Sequence, residues 1–325
     1  MQCRYLTFAQ EEGVVRTWHK VVHQLNVTPD EGLCIQVLNT AGRHGKSPLA
    51  LDALRILERI GVTWHEHHIA PVIEALCKEK NVKDALAMLD LMRTHNIVPL
   101  AETTIPISNA IATDADSVDN AWGYLEGLHA EGRTVDKTAL NVVVRASIII
   151  GDLQRAVGTY KAAGALGVVP DVDTYNLLFA GCAAAKHRQL GDRLLTEMKE
   201  AGVRPDATTY ERLILLCLTQ ANYEDAFFYL EEMKAEGHVP PRNVYVSIIR
   251  KCVKLGDTRH KLAEEEMVEC GYEISEPIRR FIDSGGEEDR PEVSVTRPPP
   301  SRVLSHKREE FMRGILDAPL QKEFS

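Results

Sequence analysis

The densest group of metal-ligating side chains in this sequence is the run His65–His68, which reads His-Glu-His-His. Imidazole and carboxylate groups are zinc ligands. The run lies at the junction between two helical segments, so no single helix face carries it, and we interpret it as surface or helix-cap residues rather than a zinc site. His19 and His23 share a helix face, but no acidic or cysteine partner follows at metal spacing. The sequence therefore predicts no metal site.

The motifs of common enzymes are also missing from the sequence. It contains no glycine-rich phosphate loop, no GxSxG motif and no appended block of acidic nuclease residues. We therefore predict that the protein is not an enzyme and that it needs no cofactor.

The composition restricts the possible partners. The chain has 325 residues, is 44% hydrophobic and 26% charged, and carries a net charge of −9. A strongly basic, sequence-blind nucleic-acid binder would look different, although a basic groove on an acidic body is compatible with this charge. No run approaches the roughly 18 apolar residues that span a bilayer, so we expect no membrane partner. Residues 1–13 lack the apolar core of a secretory signal and are a poor transit peptide, because they contain Glu11 and Glu12.

A period of 35 residues positions the remaining features. It recurs in tyrosines, cysteines and prolines: Tyr175, Tyr210 and Tyr245; Cys182, Cys217 and Cys252; Pro170, Pro205 and Pro240. Such a period is typical of a repeat architecture. The sequence has seven cysteines and no CxxC pair, and three cysteines share one repeat position. That pattern indicates a small buried position rather than disulfides or metal ligation, and it fits a reducing compartment or an organelle matrix.

Within each repeat, apolar residues at helical spacing predict two helices and therefore an all-α fold. Residues 1–30 form a partial N-terminal repeat, and because the chain starts inside a helix pair we expect sequence upstream of it, including any targeting segment. Residues 31–276 form the repeat array, in which Thr174 and Thr209 are predicted to cap the helices that follow them. Residues 277–286 form a capping helix, and residues 287–325 form a disordered, proline-rich, charged tail.

The repeat resembles the pentatricopeptide repeat family. The resemblance rests on Thr174–Asn176 at the start of a repeat, Cys182 in mid-helix, Glu197–Lys199 near the end and Gly202–Asp206 as the terminator. It covers about residues 1–276 and is closest over residues 137–241. It implies a P-type array with no appended catalytic domain: a right-handed superhelical solenoid of about seven to eight helix-turn-helix repeats of 35 residues. In such a solenoid the first helices line a groove that binds single-stranded RNA, usually in mitochondria or chloroplasts.

The resemblance also implies which residues contact the bases. In this family the fifth and last residues of a repeat hydrogen-bond the base edge, and the second residue packs on the base faces. Asn141 with Asp171, and Asn176 with Asp206, are the two pairs of the standard kind, and they imply uridine at two adjacent positions. The face-packing residues are Thr138, Asp173 and Thr208, of which Asp173 departs furthest from the apolar residue that the family prefers. The non-standard pairs are Ile35 with His65, Ala70 with Leu100, Pro106 with Asp136, and Glu211 with Pro241.

Four basic residues are candidate phosphate contacts. Arg145 and Arg250 occupy the ninth place of their repeats, one helical turn beyond the base-reading place, and Lys78 and Lys254 lie at the ends of first helices. The alternative is that all four are solvated surface charges.

Two functions follow from these observations. The first is a protein that binds single-stranded organellar RNA, in mitochondria by the family resemblance, and that acts in RNA stabilisation, processing or translation. The alternative is a protein-binding scaffold, such as an assembly factor or an organellar ribosome-associated subunit, which the net charge and the non-standard pairs favour. In that case the stretch Phe311–Leu316 would be a docking helix for a protein partner, unless it is part of an unstructured tail.

Overall fold

The structure, a computed structural model, describes residues 12–287, except for the side chain of Ala101. Within that range every regular element is helical and no strand is present, which confirms the predicted all-α fold. The predicted tail, with its docking segment Phe311–Leu316, lies outside the described residues from residue 288 onward, as do residues 1–11. No helix in the described part is both long enough and apolar enough to cross a bilayer.

The chain divides into two compact units, the first comprising residues 12–150 and 161–168 and the second comprising residues 151–160 and 169–287. In the first unit a helical segment, residues 12–24, ends in the π-helix His19–Gln24. The helices that follow it are α1 (Glu31–His44), α2 (Ser47–Arg59), α3 (Glu66–Lys78), α4 (Val82–Thr94), α5 (Ala101–Ile111), α6 (Ala115–Ala130) and α7 (Lys137–Ile149), and a 3-10 turn, Ala163–Leu166, also belongs to this unit.

The second unit contains α8 (Leu153–Ala162) as far as Tyr160. The helices that follow are α9 (Val172–Ala185), α10 (Arg188–Glu200), α11 (Ala207–Leu218), α12 (Glu224–Ala235), α13 (Arg242–Lys254), α14 (His260–Glu269) and α15 (Glu276–Asp283). Between residues 31 and 269 the described chain therefore runs through seven successive helix pairs.

Stacking of neighbouring pairs builds the core of each unit. In the first unit α1 packs on α3, α3 on α5 and α5 on α7; in the second, α9 packs on α11, α11 on α13 and α13 on α15. Apart from the capping helix α15, each of these odd-numbered helices is the first helix of its repeat, so the first helices lie side by side within each unit. Residues of the same place in successive repeats are thereby brought onto neighbouring helices.

Small residues allow the two helices of a pair to approach closely. In the pairs that lie within one unit, the twentieth place holds Ala50, Ala85, Ala121 and Ala226, all of which are buried. In the repeat that begins with α9 the same place is Gly191, and it allows a close approach to the next repeat: a Cβ added there would collide with Cδ2 of the fully buried Leu216 on α11. The cysteines at the shared repeat position are buried as well, and burial raises the pKa of the Cys182 and Cys217 thiols to about 12.

The first helices α9 and α11 are capped by aspartates, not by the threonines that the sequence predicted. Asp171 is extended before α9, and its Oδ1 accepts a hydrogen bond from the Thr174 backbone N–H at 3.1 Å. Thr174 is the third residue of the helix, and its hydroxyl accepts from the Asp171 N–H at 3.2 Å. Asp206 and Thr209 form the same reciprocal capping box on α11. The last residue of a repeat is therefore also the N-cap of the next first helix.

The final described helix, α15, packs on α13 at the end of the second unit. Ile278 and Phe281 are buried, with relative exposures of 1% and 5%, whereas Ile282 is half-buried. The helix therefore presents an apolar face to the last repeat and a polar face to solvent, as an end-capping helix of a repeat array does.

Candidate nucleic-acid interface

Asn176 and Asp206 are directly hydrogen-bonded. Asn176 lies on α9 and Asp206 precedes α11, and the Asn176 Nδ2 donates to Asp206 Oδ1 at 3.2 Å. On the other side of the amide, the Thr209 hydroxyl lies 2.7 Å from Asn176 Oδ1 and can donate to it. The Asn176 side chain is 7% exposed. The amide is therefore held in one orientation, and one N–H and one oxygen lone pair remain for a ligand.

The hydrogen bonds of Asp206 converge on one carboxylate oxygen. Besides the amide of Asn176, Oδ1 accepts from the Thr209 backbone N–H at 2.7 Å and lies 2.9 Å from the Thr209 hydroxyl. The single hydroxyl proton of Thr209 serves either Asp206 or Asn176 at any moment. The same carboxylate thus begins helix α11 and orients the amide on α9.

The two residues of the other predicted pair lie in different units. Asn141 is half-buried on α7 in the first unit. Asp171 is the half-buried N-cap of α9 in the second unit, and its Oδ1 is engaged by the backbone N–H and the hydroxyl of Thr174. Their joint role in base recognition stays a prediction.

All three residues predicted to pack on base faces are at least partly exposed to solvent. Thr138 at the start of α7 and Thr208 at the start of α11 are half-buried, and Asp173 at the start of α9 is exposed. The exposed Asp173 carboxylate places a negative charge two residues from the cap Asp171. It lowers the attraction of this part of the second unit for phosphate.

All four predicted phosphate contacts stay predictions, and the structure shows partners within the protein for at least three of them. The Arg250 guanidinium and the Lys254 ammonium lie 5.6 and 5.8 Å from the centre of the Phe281 ring, within cation–π range. Arg145 is half-buried on α7. The Lys78 ammonium donates to the carbonyls of Gly42 and Arg43 at the end of α1, and to Glu74. Two of its three donors therefore join α3 to α1, and the third serves Glu74 on the same helix.

Glu211 has a polar partner that the sequence interpretation overlooked. It occupies the place on α11 that Asn176 occupies on α9, and its Oε1 accepts from Asn243 Nδ2 at 3.0 Å. Asn243 is the second residue of α13 and is 5% exposed. Burial raises the pKa of the Glu211 carboxyl, and Arg212 and Asn243 only partly oppose this effect. The signal in the sequence was an asparagine at a place where the family prefers an apolar residue.

The histidine cluster gains an acidic neighbour in the fold. Glu31 at the start of α1 lies beside His67 and His68, and one ligand atom from each of the three lies within 4.8 Å of the others. The backbone N–H of His65, the N-cap of α3, donates to His68 Nδ1 at 3.1 Å. That bond places the ring proton on Nε2, the nitrogen 3.6 Å from Glu31, so His68 does not offer this nitrogen to a metal ion. Burial and the neighbouring His67 lower the pKa of His68, and its role in the structure is to cap α3.

The repeats match two sequence profiles of known protein families. A sequence profile described as pentatricopeptide repeat-containing protein matches residues 31–163, and a profile for the PPR repeat family matches residues 170–217. No curated protein sequence matches the chain. Among solved structures, the pentatricopeptide repeat protein PPR10 from maize shows 21% identity and a TM-score of 0.47, over 88% of this chain and 39% of that one. This chain thus matches well under two thirds of the length of that protein.

Two further crystal structures contain RNA. PPR10 in complex with an 18-nt psaJ RNA element shows 17% identity and a TM-score of 0.40, over 96% of this chain and 53% of that one. The PPR domain of protein-only RNase P 1 from Arabidopsis thaliana, in complex with tRNA, shows 15% identity and a TM-score of 0.33, over 57% of this chain and 97% of that one.

Proposed function

Because this chain belongs to the pentatricopeptide repeat family, we propose that it binds single-stranded RNA and recognises uridine with Asn176 and Asp206. The observation that carries the proposal is the oriented amide of Asn176, held between the Asp206 carboxylate and the Thr209 hydroxyl. The resemblance to the family assigns a second, adjacent uridine to Asn141 and Asp171, and this assignment stays a prediction from the sequence.

The chemistry of the uracil edge matches this amide. Uracil presents the N3–H donor beside the O4 acceptor, so the free N–H of Asn176 reaches O4 while its oxygen accepts from N3–H. Cytosine presents the reverse order, an N4–H donor beside the N3 acceptor, and would fit the flipped amide. Asp206 opposes that flip because a carboxylate accepts hydrogen bonds and would face the amide oxygen. The pair therefore distinguishes the two pyrimidines through the orientation of one side chain.

We place this activity in mitochondrial RNA stabilisation, processing or translation, where the protein acts by binding rather than by catalysis. The support for this cellular role is the family alone. Its partners are then a single-stranded transcript and, through the C-terminal tail, proteins that act on that transcript.

Fluorescence anisotropy with short single strands tests the binding proposal. We expect salt-sensitive binding to a strand containing UU, and about tenfold weaker binding by Asn176→Ala, since a good bidentate base contact is worth about 1–3 kcal/mol. Asn109→Ala, which removes an exposed asparagine from α5, is the matched control and should bind as wild type. If only Arg145, Arg250 and Lys254 contact phosphates, the slope of log K against log salt is shallow, about −2, at about 0.7 per phosphate. The proposal is abandoned if no single strand binds, or if Asn176→Ala and Asn109→Ala bind alike.

A protein-binding scaffold is the second candidate. The observation in its favour is that second helices of the second unit carry large exposed apolar side chains, namely Phe228 on α12 with Leu262 and Val268 on α14, which are 63%, 52% and 56% exposed. A pull-down with RNase treatment separates the candidates. Partners that survive RNase and are lost with Phe228→Ser support the scaffold, whereas partners released by RNase support RNA binding.

A further inference from the structure

Glu211 lies at the next base-reading place after Asn176. The two residues are 35 positions apart in the sequence, and each is the fifth residue of a repeat. Their helices, α9 and α11, pack side by side within the second unit. A ligand strand that passes from one repeat to the next along these helices reaches Glu211 directly after Asn176.

The residue that orients Glu211 comes from a different place in the repeat. The last residue of this repeat is Pro241, whose side chain offers neither a donor nor an acceptor. Asn243, two residues further on, donates from Nδ2 to Glu211 Oε1 at 3.0 Å, as the amide of Asn176 donates to Asp206 one repeat earlier. Asn243 is buried, so its amide is fixed in place. The bond holds one carboxylate oxygen and leaves Oε2 outside this contact.

The surroundings make the carboxylate a good acceptor site. Glu211 is drawn partly out of water, and burial, followed by the nearby Asp206, works against its charged form. Arg212 on the same helix and the amide of Asn243 support the charged form. A ligand that donates hydrogen bonds to this carboxylate replaces the hydrogen bonds from water that burial has removed.

We propose that Glu211, oriented by Asn243, is a third base-reading site, and that it selects a base with hydrogen-bond donors on its pairing edge, guanine above all. This inference rests on the proposed RNA-binding function. Guanine presents two neighbouring donors, N1–H and N2–H, to the carboxylate. Cytosine and adenine present one amino group beside a ring acceptor. Uracil presents one donor between two carbonyl oxygens, which repel a carboxylate on both sides. The preferred element is therefore two uridines with a guanosine next to them.

Binding to single strands with a fixed UU and every base at each flanking position tests the inference. Wild type should bind the strand with guanine at one flank at least about tenfold more tightly than the strand with uracil there. Glu211→Gln should reduce this ratio to about twofold or less and keep the UU affinity, because its amide offers a donor as well as an acceptor. Asn243→Ala should reduce the ratio in the same direction, because it releases Glu211. Glu200→Gln, the same change at an exposed position on α10, should leave the ratio unchanged.

The outcomes separate this inference from the proposed function. Tight UU binding with no preference at either flank, or a preference that Glu211→Gln leaves intact, overturns the third site and keeps the uridine sites. Absence of binding to every strand overturns both. Thermal unfolding of each variant shows whether a lost preference reflects a lost fold.

Discussion

The carboxylate of Asp206 has two roles, and Asp206→Ala removes both. The first is the N-cap of α11, whose loss costs about 1 kcal/mol, within a range of about 0.5–2. The second is the acceptor for the Asn176 amide. Asn176 is only 7% exposed, so without this acceptor its N–H donor would be left poorly solvated, at a cost of about 1 kcal/mol. We therefore expect Asp206→Ala to destabilise the second unit by about 2 kcal/mol in total.

Asp136→Ala is the matched control for the first role. Asp136 is the N-cap of α7, and its Oδ1 accepts from the Ala139 N–H at 2.9 Å. The fifth residue of its repeat is Pro106, which has no amide to orient. This variant should lose only the cap, about 1 kcal/mol, and should keep the affinity for a UU strand.

Asp206→Asn tests whether either role needs the negative charge of the carboxylate. Asparagine is as good an N-cap as aspartate, so the stability should change by less than about 0.5 kcal/mol. The oxygen that accepts from the Thr209 N–H also accepts from the Asn176 amide, and asparagine keeps that oxygen. The variant should therefore still oppose the flip of Asn176 and keep a preference of about tenfold for uracil over cytosine at this position.

The assays are urea unfolding for stability and anisotropy for binding, with affinities measured where every variant is fully folded. Repeat arrays need not unfold in one step, so each transition is followed by circular dichroism and by tyrosine fluorescence. Equal losses of UU affinity in Asp136→Ala and Asp206→Ala would refute the reasoning, because a cap would then explain everything that we assign to base recognition. A stable Asp206→Asn variant that loses its preference for uracil would refute the account in which one oxygen at this position orients the amide.

Three further predictions concern packing, pH and charge. Gly191→Ala should destabilise the second unit by about 1–3 kcal/mol in urea unfolding, because the new Cβ collides with the buried Leu216. Gly158→Ala, where there is open space for a Cβ, should instead stabilise the protein by about 0.5–1 kcal/mol. Equal effects of the two changes would contradict the packing described at Gly191. Folding raises the pKa of the Glu211 carboxyl above its ordinary 4.5. As the pH rises from 4.5 through the raised pKa, wild type should therefore lose stability relative to Glu211→Gln. A difference in unfolding free energy between the two proteins that stays constant with pH would contradict this. Lys78→Met should lower the stability by about 1 kcal/mol, because two donors of Lys78 join α3 to α1. It should leave the slope of log K for RNA binding against log salt unchanged. A shallower slope in the variant would make Lys78 a phosphate contact.

The repeat period predicted the fold because the helix and turn signals within one repeat are local, and they recur in each successive repeat. Helix α9 begins at Val172 and α11 at Ala207, the first residues of their repeats. The caps were assigned to the wrong residues because Asp and Thr are both good N-caps and stand three positions apart in the same motif. Only the backbone conformation before the helix, extended at Asp171, decides between them.

The candidate site was predictable in part. The family resemblance named Asn176 and Asp206, and the structure joins these two side chains by a hydrogen bond; their contact with a base stays a prediction. The partner of Glu211 was not predictable, since it depends on the reach of the Asn243 side chain between two helices. The approach of Glu31 to His68 is likewise a contact between neighbouring repeats that no local pattern encodes.

The charges of the second unit favour base recognition over phosphate attraction. Arg188 on α10 binds Asp225 on α12 at 3.0 Å, and Lys234 on α12 binds Glu266 on α14 at 3.1 Å. These cations hold neighbouring second helices together, so they add little to the attraction of a polyanion. With a net charge of −9, we expect a low non-specific affinity for RNA, because that affinity comes almost entirely from phosphate neutralisation. If the proposed sites bind bases, the ratio of specific to non-specific binding depends on the few oriented groups at the base edges. We therefore expect the amide of Asn176 and the carboxylate of Glu211 to contribute more to specificity here than they would in a basic protein.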